Sequence, residues 1–302
     1  MEVKMPSIVK EIKTDKNKPT IAVIGYTGMV GGPIYRYFEE QGYSVMGMAL
    51  DNKTHKWQDI NDKAKYIFIA VPTPFDWKKN EPSIEPIKEV LEKLQGKKIV
   101  IIKSTIVPGT TAKLQKDYPW IDILFNPEFL SAKTNYQDFI NPDRQLIGYT
   151  AQSYRHATKV LNMLPISPYG AIMKAEEAEI AKYVNNFHGA LMVIFANFFY
   201  DVCEAANADF ETVKKAAIAS KWVGSPMGRM YWNVFHGGFR GYGGGCFPKD
   251  MNTLLTWCRD NGVAPEILEA TRTVNRRLLA QNKMTEEDAE QIGKKPKDGK
   301  TK

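Results

Sequence analysis

At 302 residues the chain is long enough to bury a sizeable core and to form about two domains of ~150 residues. Hydrophobic residues at 43% and aromatic residues at 11% indicate a globular protein. The excess of 41 Lys+Arg over 34 Asp+Glu sits largely in 4–18 and 294–302, so it reads as solvated ends; anionic small molecules suit the remainder, and no nucleic-acid partner is expected. The opening stretch 1–18 is a charged, polar leader without the apolar segment of a secretory signal.

The first element is a short β-branched strand, Thr20 to Ile24, which runs into Gly25, Gly28 and Gly31 and then a helical stretch. A strand, a glycine turn and a helix start in that order let backbone N–H groups face a pyrophosphate. The spacing G-x-x-G-x-x-G is one residue longer than the usual dinucleotide loop, and the same pattern also fits a plain strand–helix turn. Asp51 closes the next hydrophobic run, 43–50, where an acid bonds a ribose 2′-hydroxyl and repels a 2′-phosphate, so NAD is favoured over NADP.

From 52 to 63 the connection is short and polar, and 65–71 (K-Y-I-F-I-A-V) reads as a buried strand broken by Pro72-Thr73-Pro74. Helical spacing follows over 83–94, then a strand at 98–102 ending in Lys103-Ser104-Thr105, and another at 121–125 ending in Asn126-Pro127-Glu128-Phe129-Leu130. Asn141-Pro142-Asp143-Arg144 precedes Leu146-Ile147-Gly148. Regular alternation of strand and helix up to about Thr150 predicts an α/β fold, a Rossmann-like doubly wound parallel sheet.

Beyond it the pattern becomes helical. From 174 to 207 only Gly189 interrupts, which predicts one long central helix with Ile180, Val184, Phe187, Leu191, Ile194, Phe198 and Val202 as an apolar stripe. Its most apolar part, 189–200, is shorter than the ~20 residues that span a bilayer. Lys182 and Asn186 lie four apart and share a face near the helix start. Further helices are expected at 209–220 and from 250 to about 281, in a mainly helical second domain. The expected domains are therefore 1–18 as leader, 19–165 as the nucleotide-binding domain, 166–285 as long helix and helical domain, and 286–302 as a disordered basic tail.

Cys203, Cys246 and Cys258 form no C-x-x-C and leave an odd thiol, so neither a disulfide framework nor a metal site is indicated, and a reducing cytoplasm fits. His55, His156, His188 and His236 are scattered and read as structural or surface residues. Cys246 stands apart. It follows the glycine loop G-G-F-R-G-Y-G-G-G and precedes F-P-K-D, so a thiol has a cation (Lys249) and a carboxylate (Asp250) within four residues. Cationic or helix-terminal surroundings favour the reactive thiolate; a small core cysteine after a surface turn is the alternative.

The segment G-Y-G-G-x-C-x-P-K-D resembles the active-site stretch of the UDP-glucose 6-dehydrogenase (UDP-glucose/GDP-mannose dehydrogenase) family. V-P-T-P, K-S-T, N-P-E-F-L, N-P-D-R-x-x-I-G and K-x-x-x-N recur in the family's order, so the resemblance runs from about Thr20 to Arg277. It implies an NAD-dependent nucleotide-sugar dehydrogenase that oxidises UDP-glucose to UDP-glucuronate in two steps. Cys246 would capture the aldehyde as a thiohemiacetal, later a thioester. Lys182 and Asn186 would stabilise the oxyanion, and Asp250 with Thr105 and Glu128 would handle protons and water. Cofactor contacts are implied for Gly25, Gly28, Met29, Val30, Gly31, Asp51, Val71, Thr73, Thr105 and Lys249. Substrate contacts are implied for Glu128, Phe129, Leu130, Lys182, Asn186, Tyr242 and Gly243.

Where the family carries an arginine from a neighbouring subunit, this chain reads Ser225-Pro226-Met227-Gly228-Arg229, so Arg229 or Arg240 is expected to reach the diphosphate. The family also uses the long helix to dimerise, which implies a homodimer through 174–207, and it adds a third, uridine-gripping domain that these residues lack. A hydroxyacid dehydrogenase of the 6-phosphogluconate type, which shares K-x-x-x-N but has no need of Cys246, and a non-catalytic nucleotide-binding protein are the other readings.

Overall fold

The structure, a computed structural model, describes residues 14–49, 55–220, 223 and 230–292. Two compact units result: 1–73 with 84–179, and 74–83 with 180–302, of which the described residues are treated below.

The first unit is built on a seven-stranded sheet in the order β2-β1-β3-β6-β7-β8-β9. Its strands are β1 (Ile21–Ile24), β2 (Val45–Met48), β3 (Tyr66–Ile69), β6 (Ile99–Ile102), β7 (Asp122–Phe125), β8 (Arg144–Tyr149) and β9 (Tyr169–Lys174). Strands β1, β3, β6 and β7 are buried along their whole length, as expected of parallel strands covered on both faces. Side chains alternate between the faces. Ala22, Ile24, Ile67, Ile69, Val100, Ile102, Ile123 and Phe125 form one core, and Ile21, Val23, Tyr66, Phe68, Ile99, Ile101 and Leu124 the other.

The connecting helices are α1 (Gly31–Glu40), α2 (Trp57–Lys63), α3 (Glu85–Lys93), α4 (Thr110–Asp117), α5 (Asn135–Ile140) and α6 (Tyr154–Met163). Helix α1 buries Ile34 and Phe38 and stops at Gly42, whose φ of 74° only glycine takes without strain. There Gly42 N–H donates to Glu39 O and Tyr43 N–H to Phe38 O, a Schellman ending that turns the chain into β2.

The expected α/β, Rossmann-like architecture with a long central helix is present, and the structure adds detail to the expectations in four places. The sheet is not wholly parallel, because β8 pairs antiparallel with β7 (Leu124↔Tyr149, Phe125↔Gly148), and β9 then runs parallel to β8. Since β9 belongs to this sheet, the first unit runs on to 179, beyond the boundary expected at 165. The polar connection over 52–63 contains α2, a helix with Ile60 as its one buried residue. Residues 286–291, assigned to a disordered tail, form a helix with a complete Thr285/Asp288 capping box; the tail from 293 lies outside the described residues, as do 1–13 of the leader.

The long helix α7 (Ala175–Ala205) has 31 residues and is therefore ~46 Å long. Gly148 of β8 lets its start approach: a Cβ there would lie 2.9 Å from the Ala175 Cα and 3.0 Å from the Ala178 Cβ. The second unit continues with α8 (Phe210–Ala219), α9 (Phe247–Asp260), α10 (Glu266–Ala280) and α11 (Glu286–Gln291), together with a small antiparallel hairpin, β4 (Phe75–Asp76) and β5 (Glu81–Pro82). Asp209 caps α8 by accepting from the Glu211 and Thr212 N–H groups. Ala190, Tyr242, Met251, Leu255, Cys258 and Leu268 form one core of this unit, and Ala196, Cys203, Phe210, Trp232 and Val234 another. The expected stripe on α7 divides accordingly. Phe187 and Ile194 pack on the first of these cores, while Ile180, Val184, Phe198 and Val202 are exposed.

Glu179, wholly buried in the first unit, caps the start of α4. It accepts from Gly109 N–H at 2.7 Å, Thr111 N–H at 2.9 Å and the Thr111 hydroxyl at 2.6 Å. Burial raises its carboxyl to about 7, and these three donors hold the shift back. A folded value above the unfolded one means that stability is fully present below the unfolded value and is lost as pH rises through the folded one. Thermal unfolding should therefore show stability falling between pH ~4.3 and ~7, by the order of 3 kcal/mol. Glu179→Gln should flatten that slope, and a slope that survives the substitution would assign it to other groups.

Candidate functional site

In the first unit the glycine turn follows β1 at the point where the sheet order reverses, with β2 on one side of β1 and β3 on the other. Open α/β sheets bind ligands at such a point, outside the strand ends. Gly25 has φ of 88°, and a Cβ on it would stand 2.9 Å from the Ala70 carbonyl carbon, so the turns after β1 and β3 meet with no room for a side chain. A Cβ on Gly31 would lie 2.7 Å from the Gly25 carbonyl carbon. Gly28 N–H donates to Gly25 O, and the Asn135 amide donates to Met29 O at 2.9 Å, which fixes the turn against α5. Val30 heads α1 with no side-chain cap, and no acidic residue occupies the first turn. In the first turn Gly32 N–H donates to Gly28 O and Pro33 has no N–H, so what suits an anionic pyrophosphate is the helix dipole at an N-terminus free of acidic residues. On these grounds the turn fits a dinucleotide; Asp51, expected on the ribose, lies outside the described residues.

A polar network joins the neighbouring strand ends. The Lys103 ammonium, 3% exposed, donates to the Asn126 side-chain oxygen at 2.7 Å, and the Asn126 amide donates to Leu146 O at 2.8 Å and to the Gln145 side-chain oxygen at 3.3 Å. Thr73 donates its hydroxyl to Thr105 O, and Ser104 donates to Val71 O. Thus Val71, Thr73, Thr105 and the loop carrying Glu128 are locked to one another. Glu128 is buried and accepts from Leu130 N–H at 2.8 Å; Phe129 lies beneath the Arg144 guanidinium, 3.7 Å from ring centre to carbon. Sequence reading passed over Lys103 and Asn126 as parts of motifs; their burial is what shows their function in holding the loops.

In the second unit Cys246 is exposed and occupies the N-cap position of α9, with no side-chain cap hydrogen bond. Cys203 and Cys258 are buried, so the three thiols differ in the way their neighbours imply. Pro248 sits in the first turn, where its missing N–H costs nothing. Asp250 N–H donates to Cys246 O at 2.8 Å, placing the carboxylate one helical turn past the thiol. That carboxylate is only 2% exposed. It accepts from the Asn186 amide at 2.6 Å and pairs with the Lys249 ammonium. Lys182, one turn before Asn186 on α7, is likewise buried.

Two further residues belong here that sequence reading missed. Burial pushes the Tyr231 phenol up; the Lys182 charge opposes this and the Cys246 charge adds to it, so the phenol stands in the field of both. Its ring lies 5.9 Å from that of Phe247. Gly189 makes the space: a Cβ there would meet the Phe247 ring at 2.6 Å and the Tyr231 hydroxyl at 3.0 Å. A single glycine inside an otherwise uninterrupted helix was the available signal.

Other expected substrate residues are placed differently. Tyr242 is 1% exposed and packs in the core with its phenol inward, so its side chain is structural. Arg240 is committed to α7: it pairs with Asp201 at 2.7 Å, donates to the Asn197 side-chain oxygen at 3.1 Å and to Asn197 O at 3.0 Å, and lies over the Tyr200 ring. Arg229 lies outside the described residues. Among the described residues no cluster of His, Cys, Asp and Glu could hold a metal ion, and no helix is long and apolar enough to cross a membrane.

Comparison with known proteins bears on both units. Residues 57–163 match the NAD binding domain of the UDP-glucose/GDP-mannose dehydrogenase family, and residues 176–277 match its central domain. Among curated proteins, UDP-glucose 6-dehydrogenase AglM of Haloferax volcanii is 28% identical over 69% of this chain and 51% of its own length. UDP-glucose 6-dehydrogenase TuaD of Bacillus subtilis is 30% identical over 69% of this chain and 46% of its own. Among solved structures, a UDP-glucose dehydrogenase of Pyrobaculum islandicum superposes with a TM-score of 0.71 at 24% identity, covering 87% of this chain and 71% of that one. A UDP-D-ManNAc dehydrogenase of Pyrococcus horikoshii gives 0.74 at 19% identity, covering 87% and 69%. The fold is thus that of NAD-binding nucleotide-sugar dehydrogenases. The chain belongs to the UDP-glucose/GDP-mannose dehydrogenase family and spans about half the length of the curated relatives it matches.

Because a side chain at position 31 collides with backbone rather than with a movable group, Gly31→Ala should weaken NAD binding at least tenfold. Titration of the purified variant with NAD, followed by calorimetry, measures this; affinity equal to the parent's would remove the turn from the cofactor site.

Proposed function

We propose that the protein catalyses NAD-dependent, four-electron oxidation of UDP-glucose to UDP-glucuronate. The observation that carries this reading is the exposed Cys246 at the N-terminus of α9, one turn from the buried Asp250, which Asn186 and Lys249 hold. A two-electron oxidation needs no such nucleophile. Bound NAD supplies the hydride acceptor for both oxidations.

Asp250 accepts the proton of the sugar's C6 hydroxyl, through a water held by Thr105, as the alcohol becomes an aldehyde. A carboxylate held by two partners is oriented before reaction, which is the condition for effective base catalysis. Lys182 and Asn186 stabilise negative charge on the reacting oxygen; being buried, they act with little competition from water. The Cys246 sulfur adds to the aldehyde carbon, forming a thiohemiacetal, whose oxidation gives a thioester. Glu128, with Thr105 and Asp250, directs the water that cleaves the thioester and returns the free thiol. Tyr231, placed in the field of Lys182 and Cys246, is a further residue for this site.

We assign the cofactor contacts to Gly25, Gly28, Met29, Val30, Gly31, Val71, Thr73, Thr105 and Lys249, with the ribose on Asp51. A cytoplasmic location suits a protein whose function requires a reduced thiol. The exposed Ile180, Val184, Phe195, Phe198 and Val202 on α7 support self-association into a homodimer through this helix.

The deciding assay is NADH formation from UDP-glucose, with GDP-mannose and UDP-ManNAc as competing substrates. Two NADH should appear per sugar consumed, with an acid as product; one NADH and a free aldehyde or ketone would overturn the four-electron reading. Cys246→Ser should bind NAD as the parent does and form no acid, and continued acid production would exclude the thiol. Light scattering should give twice the chain mass, and a strict monomer refutes the dimer.

A further inference from the structure

Among the described residues the glycine loop that leads to Cys246 pairs with no strand, yet its backbone is held at Tyr242 and Gly244. Asn275 of α10, 0% exposed, does this from the side: Tyr242 N–H donates to the Asn275 side-chain oxygen at 2.7 Å, and the Asn275 amide donates back to Tyr242 O at 3.3 Å. One side-chain amide thereby replaces a missing backbone partner at both polar groups of Tyr242.

The flanking residues are shaped to this clamp. Gly241 has φ of 101°, and a Cβ on it would lie 2.5 Å from the Asn275 oxygen, so the clamp and a side chain at 241 exclude each other. Three residues after Gly241, Gly244 N–H donates to Ala289 O of α11 at 2.8 Å. A Cβ on Gly243 would meet the Phe239 ring at 2.7 Å and Ala289 O at 3.0 Å. The floor beneath is itself braced. Arg272 donates to Glu286 at 3.0 and 2.9 Å, and Arg276 donates to it at 2.6 Å, tying α10 to α11. The buried Tyr242 ring fixes the loop from the core side. Only three residues separate Tyr242 from Cys246, so the clamp sets where the chain enters α9.

We infer that Asn275 is a positioning residue for the Cys246 thiol: by gripping the Tyr242 backbone it keeps the loop in the one course that delivers the sulfur to the first turn of α9. The influence of a helix N-terminus on a neighbouring group fades beyond the first turn, so a small displacement changes reactivity. The inference rests on the proposed nucleophilic use of Cys246, but its test does not depend on turnover. Asn275 touches no reacting atom and would act only through the loop.

The test compares alkylation of individual cysteines by iodoacetamide at pH 7.5, resolved by peptide mass spectrometry, in the parent and in Asn275→Leu, which is nearly isosteric and makes neither hydrogen bond. Cys258, buried on the same helix as the thiol under study, reports whether the unit remains folded. The Cys246 rate should fall at least fivefold while Cys258 stays protected. A Cys246 rate that is unchanged or raised, with Cys258 protected, overturns the inference. Should Leu expose Cys258, the comparison passes to Asn275→Asp, which keeps the acceptor for Tyr242 N–H; a smaller fall is then expected, and no fall overturns the inference. In the coupled assay Asn275→Leu should lower kcat at least tenfold and leave NAD affinity as in the parent. If the parent makes no NADH from UDP-glucose, the proposed function fails, and the alkylation comparison still decides the role of Asn275.

Discussion

The second unit depends on how one buried carboxylate is partnered. Asp250 lies under the surface of α9, and an unpaired carboxylate there would be strongly destabilising. The structure meets that requirement with Asn186 on α7 and Lys249 on α9 itself, so partnering the carboxylate also docks the two helices. Removing one partner of such a buried group costs ~3–5 kcal/mol, far more than a surface ion pair contributes. The same demand places the loop: with Asp250 facing α7, the residue one turn earlier is Cys246, where the glycine segment enters the helix. Stability and chemistry therefore draw on one set of contacts.

The first unit answers a different constraint, the close approach of backbone to backbone. Gly25 and Gly31 let the turn after β1, the turn after β3 and the start of α1 converge without side chains between them. What surrounds this opening is held by buried polar groups rather than by hydrophobic packing alone. Lys103 and Asn126 connect the ends of β6, β7 and β8, and each is hydrogen-bonded to its neighbours. A network of this kind is worth having only when complete, since a half-satisfied member costs more than an apolar residue in its place. Glu128 and Thr105 inherit their positions from it.

Much of this was legible in the residue order. Buried strands such as Ile21–Ile24 and Ile99–Ile102 announce themselves by β-branched runs, glycine turns by their spacing, and the 31-residue α7 by the near absence of helix breakers; the order of separated motifs carried the family and NAD. Local chemistry also marked Cys246 among three cysteines. The direction of β8 was not legible, because a strand's own hydrophobic pattern is the same whether its neighbour runs with it or against it. Helix α2 has a single fully buried position, Ile60, too little to show a period. The helix at 286–291 presents Glu286 and Glu290 as charged residues, and only their arginine and tryptophan partners explain why they are buried.

By itself, the sequence determined what is short-range: which stretches are strands or helices, where glycine must stand, and which side chains have the chemistry to act. The tertiary structure alone decided which of those side chains are available. Arg240 and Tyr242 had suitable chemistry for a ligand and are spent inside the protein, on Asp201 and Asn197 and in the core, whereas Tyr231 and Asn275 carried no local mark and lie beside Phe247 at the start of α9 and on the loop before Cys246. The reason is physical. A side chain's function depends on what surrounds it in the fold: Arg240 is satisfied by Asn197, 43 positions away along the chain, and the Tyr242 ring is enclosed by the core.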